Sequence, residues 1–359
     1  MSGRVDLRAL TSARGIAAWL VVLYHLRLSI AGLPPTIVAW LAKGYLAVDF
    51  FFLLSGFVIW LSWHERFHAR GWRVAGEFVQ RRVARIWPLH LFMLGFAVML
   101  AALLALTGRA LPGEFVVAEL PLHVVLVHNW GFTDDLGWNV PSWSISTEAA
   151  AYLLFVPLCL LADWRRWPSW LLCGVIVLLG ICLWRFFAAL GHPTLGQDIA
   201  HTGLVRCLVE FVIGTLVGAL WHRWHAASRN ALWPAILLGF AAVIALPEPL
   251  GVPLGFGALL LALALSAGDA GHPLEGRVLH FLGEISYATY LGHALIWIAF
   301  KLALVRDASH VPPVQIGLYL VLLLAGSILL YRCVELPAQR AINRVRWRRQ
   351  QRQGSATVP

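Results

Sequence analysis

The chain carries about ten apolar runs long enough to cross a membrane, and these constrain it more than any other feature. They fall near residues 12–32, 46–63, 87–107, 146–162, 169–190, 204–222, 231–247, 251–267, 282–303 and 313–333. The pattern predicts an all-α, polytopic membrane protein with the lipid bilayer as its first partner. Composition agrees, with 60% of residues hydrophobic and 13% charged, against roughly 45–50% and about 25% in soluble domains. A formal charge of +10 would suggest nucleic acid in a soluble chain. Runs this long and numerous exclude that partner. One integral domain over 1–342, then a basic and polar tail over 343–359, is the expected organisation. The first run reads as a retained span, because Arg14 and His25 within it would be out of place in a cleaved signal segment. Cys159, Cys173, Cys182, Cys207 and Cys333 lie in apolar stretches with no CxxC pair and no histidine at ligand spacing. They read as packing residues, and no metal site is expected.

Charge placement orients the spans, since Lys and Arg collect in cytoplasmic loops. With both termini cytoplasmic, most of the 28 Lys and Arg residues fall on the inner side. These include Arg4, Arg8 and Arg14, the arginines between 66 and 85, Arg165, Arg166, Arg223, Arg229, Arg277 and the tail. Phe115–Trp130 is apolar but short and holds Pro121, His123 and His128. It reads as interfacial or re-entrant, because a span there would move the basic tail outside. The tail itself is expected to lie against anionic headgroups.

Ionisable groups at membrane depth are costly, so each is a functional candidate. Arg14 and His25 are 11 residues apart, which is three helical turns plus about 20° and a rise of about 16 Å. They share one face. An anion held by Arg14 at the cytoplasmic mouth could reach His25 with its far end. Spacing alone equally allows a topological anchor and a packing histidine. Residues Asn139 to Glu148 enter the fourth span from outside. There Ser144, Ser146 and Thr147 could cap the helix with Glu148 in its first turn, or Glu148 could orient the His25 imidazole. Asp49 is the second candidate for that orienting role. His293 in the ninth span and Ser55 beside Gly56 suit packing as readily as chemistry, and Ser55 has no visible base partner. Arg81 and Arg85 share a helix face while Arg82 points away. Guanidinium forks suit phosphate, although topology accounts for these three arginines equally well.

Taken together, the chain resembles the acyltransferase-3 family of bacterial membrane O-acyltransferases over about residues 5–342. The resemblance rests on motifs in the family's order. These are the Arg14-x10-His25 span, Val48-Asp49 through Ser55-Gly56, Arg81-Arg82 through Arg85-Ile86-Trp87-Pro88, Trp143 to Glu148 with Tyr152, Ile285 to His293, and Val334 to Arg340. It implies ten spans in the inner membrane and transfer of an acyl group, commonly acetyl, from acyl-CoA to a hydroxyl of an outward-facing glycan or glycolipid. Acyl-CoA is then a co-substrate, with no permanently bound cofactor. CoA phosphates would meet Arg14 and some of Arg81, Arg82 and Arg85. His25, oriented by Glu148 or Asp49, would take the acceptor proton, or would itself carry the acyl group. Ser144, Tyr152 and His293 fall in motifs expected to line the substrate path. Ala149–Ala151 depart from relatives that carry a second acidic residue and larger groups there, which alters the pocket beside Glu148. A proton-coupled transporter or flippase is the competing reading, with the same intramembrane histidine and carboxylates as a relay.

Overall fold

The computed structural model describes residues 7–108, 115–225, 232–267 and 272–355. Arg4, Arg229 and the last residues of the tail, named above, lie outside them. Among the described residues the fold is helical, with one isolated bridge between Ile30 and Val311 and no strand. In chain order the helices are α1 (Arg8–Leu26), α2 (Pro35–Leu41), α3 (Ala47–Arg70), α4 (Ala75–Leu106), α5 (Leu120–Val124), α6 (Ser142–Leu161) and α7 (Ser169–Ala189). They continue with α8 (Ile199–Trp224), α9 (Leu232–Ala245), α10 (Glu248–Leu265), α11 (Arg277–Glu284), α12 (Ser286–Leu304), α13 (Pro313–Leu330) and α14 (Leu336–Ser355).

Eight helical stretches among the described residues are long and apolar enough to cross a membrane. Ten were expected. Two of the expected spans, α3 and α4, fall within one stretch, Pro35–Leu106. The described part of α9 has 14 residues, about 21 Å, against a hydrocarbon core of about 30 Å. The helices also outrun their apolar runs. α3 continues through His64, Glu65 and Arg66 to Arg70, and α4 begins at Ala75 rather than near 87. Once a helix is nucleated, each further residue closes a hydrogen bond, so the helix persists into polar sequence.

Aromatic packing of α3, α4, α6 and α8 builds the centre of the molecule. Phe57, Phe67, Phe78, Phe155 and Phe211 are wholly buried, and the Phe78 and Phe155 ring centroids lie 5.4 Å apart. Two helix crossings are close enough to require glycine. A Cβ on Gly56 would sit 2.0 Å from the Phe211 carbonyl oxygen, and one on Gly214 would sit 2.0 Å from that of Leu53. This locks α3 against α8, the small-residue contact expected where apolar side chains gain nothing by leaving lipid. At the second crossing a Cβ on Gly283 would sit 1.9 Å from the Thr11 carbonyl oxygen, which seats α1 on α11.

The segment at 115–130 forms a short turn and α5 and does not cross the bundle. Trp87 Nε1 donates to the Val124 carbonyl at 3.0 Å, and His90 Nε2 to that of His123 at 2.8 Å. His90 lies 16 residues before the end of α4, about 24 Å of helix. By His123 the chain is therefore back beside the middle of α4, and there it delivers the start of α6, where the His128 ring meets Ser142 at 3.2 Å.

Overpacking a tight crossing costs about 1–3 kcal/mol. Gly214→Val is therefore expected to lower the unfolding midpoint in detergent. Gly174→Ala, which meets nothing within 4 Å, should leave it unchanged or slightly raised. Thermal unfolding of the two variants side by side checks the crossing.

Candidate active site

Arg14 is fixed by the end of α11. Helix C-termini leave carbonyls without an intrahelical partner and favour a cation. Its Nη2 donates to the Gly283 carbonyl at 2.8 Å and its Nε to Ser286 Oγ at 2.9 Å. The α1–α11 glycine contact makes this approach possible.

A polar cluster surrounds Arg14 where α3, α4, α6 and the α13–α14 junction converge. Arg85 forms an ion pair with Glu335, which is 1% exposed. Glu335 ends a single π-helical turn, Tyr331–Glu335, the kind of irregularity that is frequent at functional sites. Glu148 accepts a hydrogen bond from Ser55 Oγ and lies within electrostatic range of both Arg14 and Arg85. The Arg82 guanidinium lies 5.8 Å from the Tyr152 ring centroid, and its buried Nε has no partner. Tyr287 donates to the Ile86 carbonyl at 2.6 Å. Arg14, Arg82 and Arg85 bring three guanidinium groups together beside Glu148, Glu335 and Glu284, and such forks suit an anion. Arg81 stands apart, 3.0 Å from Glu77.

His25 occupies the other end of α1. Its ring neighbours are Tyr24, at 4.9 Å between centroids, and His293, at 5.0 Å. His25 is exposed, whereas His293 is 1% exposed. The expected carboxylate behind His25 is missing among the described residues. Glu148 belongs to the Arg14 cluster. Asp49 grips Arg206 with both oxygens at 2.6 Å, in a pair that is 0% and 1% exposed.

Arg206 also donates to the Leu195 carbonyl at 2.9 Å and lies 5.6 Å from the Trp143 ring centroid. The expected α6 cap is likewise replaced. The helix begins at Ser142 without a side-chain cap, which puts Glu148 beyond the first turn. Ser144 bonds Tyr290 Oη at 2.9 Å, Ser146 donates to the Leu126 carbonyl at 3.0 Å, and Thr147 donates to that of Ser144 at 2.9 Å.

The geometry therefore joins Arg14, Arg82, Arg85, Glu148 and Tyr152, pairs His25 with His293, and leaves Arg81 and Asp49 in separate ion pairs. Glu335 and the Ser55–Glu148 contact were not anticipated. The one signal for Glu335 was a lone glutamate in the closing motif that leads into the basic tail. The described residues hold no group of three or more His, Cys, Asp or Glu side chains arranged for a metal.

An all-helical membrane bundle with an interior cationic cluster and a separate imidazole pair is the setting for group transfer within a membrane. Residues 7–332 match the acyltransferase domain family, and the chain belongs to it. It is 30% identical to the acyltransferase MdmB of Streptomyces mycarofaciens over 84% of this chain and 83% of that protein. It is 26% identical to the exopolysaccharide production protein ExoZ of Rhizobium meliloti over 74% of this chain and 79% of that protein. A third relative, the putative peptidoglycan O-acetyltransferase YrhL of Bacillus subtilis, is 22% identical over 79% of this chain and 47% of its own length. No solved structure matches the chain significantly.

Breaking a buried ion pair from one side costs about 3–5 kcal/mol, because the other charge is left buried and alone. Asp49→Asn is expected to destabilise the fold by that amount in thermal unfolding, and Asp49→Leu combined with Arg206→Met to recover most of it. A loss of activity in Asp49→Asn without loss of stability would instead return Asp49 to the chemistry.

Proposed function

We propose that the chain is a membrane O-acyltransferase. It moves an acyl group, acetyl in the simplest case, from cytoplasmic acyl-CoA to a hydroxyl of a glycan or glycolipid on the outer face of the bacterial inner membrane. The observation that carries this reading is the division of α1, with Arg14 in the cationic cluster and His25 exposed about 16 Å further along the same helix face. The cation excess at one end of the bundle supports an inward-facing Arg14 end by the positive-inside rule. The names of ExoZ and YrhL, which concern exopolysaccharide and peptidoglycan, support a glycan acceptor.

In this scheme Arg14, Arg82 and Arg85 hold the CoA phosphates, because guanidinium–phosphate hydrogen bonds are strong and bidentate. Arg81, already on Glu77, forms the edge of that site. The acyl arm follows α1 toward His25. His25 takes the proton from the acceptor hydroxyl as its oxygen attacks the thioester carbonyl. The C–S bond breaks, the ester C–O bond forms, and the leaving thiolate recovers the proton from His25. Ser144 and Tyr152 face the substrate path from α6. Glu148 holds Ser55 and balances the arginines rather than serving His25.

Purified protein given acetyl-labelled acetyl-CoA and a membrane glycan fraction should transfer label to the acceptor. His25→Ala should slow transfer by about 10²–10⁴-fold. Arg14→Met or Arg82→Met should raise the half-saturating acetyl-CoA concentration by about 10- to 100-fold, the loss of a charged hydrogen bond. An unlabelled acceptor, the outcome for a flippase or transporter, overturns the proposal, as does near-normal transfer by His25→Ala.

A further inference from the structure

His293 lies one helix away from His25 and forms none of the cluster around Arg14. Its Nδ1 is 2.6 Å from the Tyr290 carbonyl, an acceptor only, so Nδ1 carries the proton and Nε2 presents a bare lone pair. That Nε2 is buried and has no partner. Leaving such a group unsatisfied is costly, yet the surroundings hold the ring firmly in this state. Tyr319 Oη donates to the His293 carbonyl at 2.9 Å from α13. Asn139 Nδ2 donates to the Leu291 carbonyl at 3.0 Å from the loop before α6. Tyr290 Oη meets Ser144 Oγ on α6. Three neighbouring elements thus fix the turn 290–293 and the tautomer of its histidine. The nearest ring to it among the described residues is His25, at 5.0 Å between centroids and 44° between planes, with Tyr290 at 6.0 Å and its hydroxyl already on Ser144.

We propose that His293 is the positioning residue for His25, its proton-free Nε2 accepting a ring N–H of His25 so that the other His25 nitrogen faces the acceptor hydroxyl as a base. This deepens the reading of His25 as the transfer base and rests on it. The division of roles follows from exposure: the accessible imidazole meets substrate and the buried one orients it. A neutral imidazole also suits this place better than a carboxylate, because it adds no charge at membrane depth, where charge is expensive. During transfer the acceptor O–H proton goes to the outward nitrogen of His25. The other nitrogen keeps its proton, shared with His293 Nε2, and the outward proton passes to the leaving thiolate. His293 gains and loses nothing, which is what separates it from a catalytic residue.

The test compares His293→Leu, which removes the acceptor at similar volume, with His293→Gln, whose side-chain oxygen can stand near the Nε2 position. His293→Leu should lower kcat by about 100-fold, the scale of losing a base's orientation. The half-saturating acetyl-CoA concentration should stay within about twofold, because the Arg14 cluster is untouched. His293→Gln should restore kcat to within about tenfold of the parent. A merely structural role would move stability and both kinetic constants together and would not distinguish Gln from Leu. If His293→Leu does not yield folded protein, Tyr319→Phe releases the same turn without touching the ring. It should lower kcat by about 3- to 10-fold with unchanged half-saturation, and an unchanged kcat there overturns the proposal. Full activity in His293→Leu beside an inactive His25→Ala overturns this inference alone. Activity in His25→Ala removes the base and takes this inference with it.

Discussion

Arg206 is the contact on which the placement of the other helices depends. A guanidinium at 1% exposure satisfies both Asp49 oxygens on α3 and the Leu195 carbonyl ahead of α8, and stacks near Trp143 on α6. An isolated ion there would carry a penalty of several kcal/mol, so the three segments that neutralise and solvate it are held in one arrangement. The glycine crossing of α3 and α8 lies two turns below. Gly56 turns its bare face to α8, and Ser55, about 100° round the helix, turns instead toward α6 and finds Glu148. The position of that hydroxyl and carboxylate is thus a consequence of a structural ion pair some distance away. It needs no catalytic role for Asp49.

Much of the architecture was legible from the sequence, and the reason is physical. Apolar run length reports directly on helices in a bilayer, and the 11-residue spacing of Arg14 and His25 reports on a shared face because one unbroken helix holds both. Helix ends were less legible, since α3 and α4 extend through charged sequence that carries no hydropathic signal. The same limit hid the nature of 115–130. It docks on α4 through backbone carbonyls held by Trp87 and His90 without crossing anything, and composition cannot separate those two fates.

Partners across helices were the least legible level. A carboxylate behind His25 was a reasonable expectation from the motifs, but both candidates are held elsewhere, by Arg206 in one case and within the Arg14 cluster in the other. Which residue of a span faces which neighbour depends on crossing angle and stagger, and these are set by contacts such as Gly283 on Thr11 that leave no trace in periodicity. Glu335 shows this most plainly. One π-helical turn rotates it into the interior to meet Arg85, where a regular helix leading into a basic tail would give no reason to look.

The two poles of α1 are both fastened to the same stretch of chain. Arg14 binds Gly283 and Ser286, and His25 lies against His293, so residues 283–293 meet the helix at both its ends. The carboxylate and hydroxyl of the site, Glu148 and Ser55, belong instead to α6 and α3. Arg82 and Arg85 on α4 stand with them, and between the two groups run a few specific bonds: Tyr290 to Ser144, Asn139 to Leu291, and Tyr287 to Ile86. Every one of them is polar and lies next to a site residue. An anion entering the cluster would meet Arg14 from one group and Arg82 and Arg85 from the other, so its binding draws on both sides of the seam at once. Association between helices in lipid gains little from apolar contact. A charged substrate bridging the seam is therefore positioned to tighten it, and the spacing between the phosphate-binding pole and the imidazole pole, being carried by a single helix, would not change as it does so.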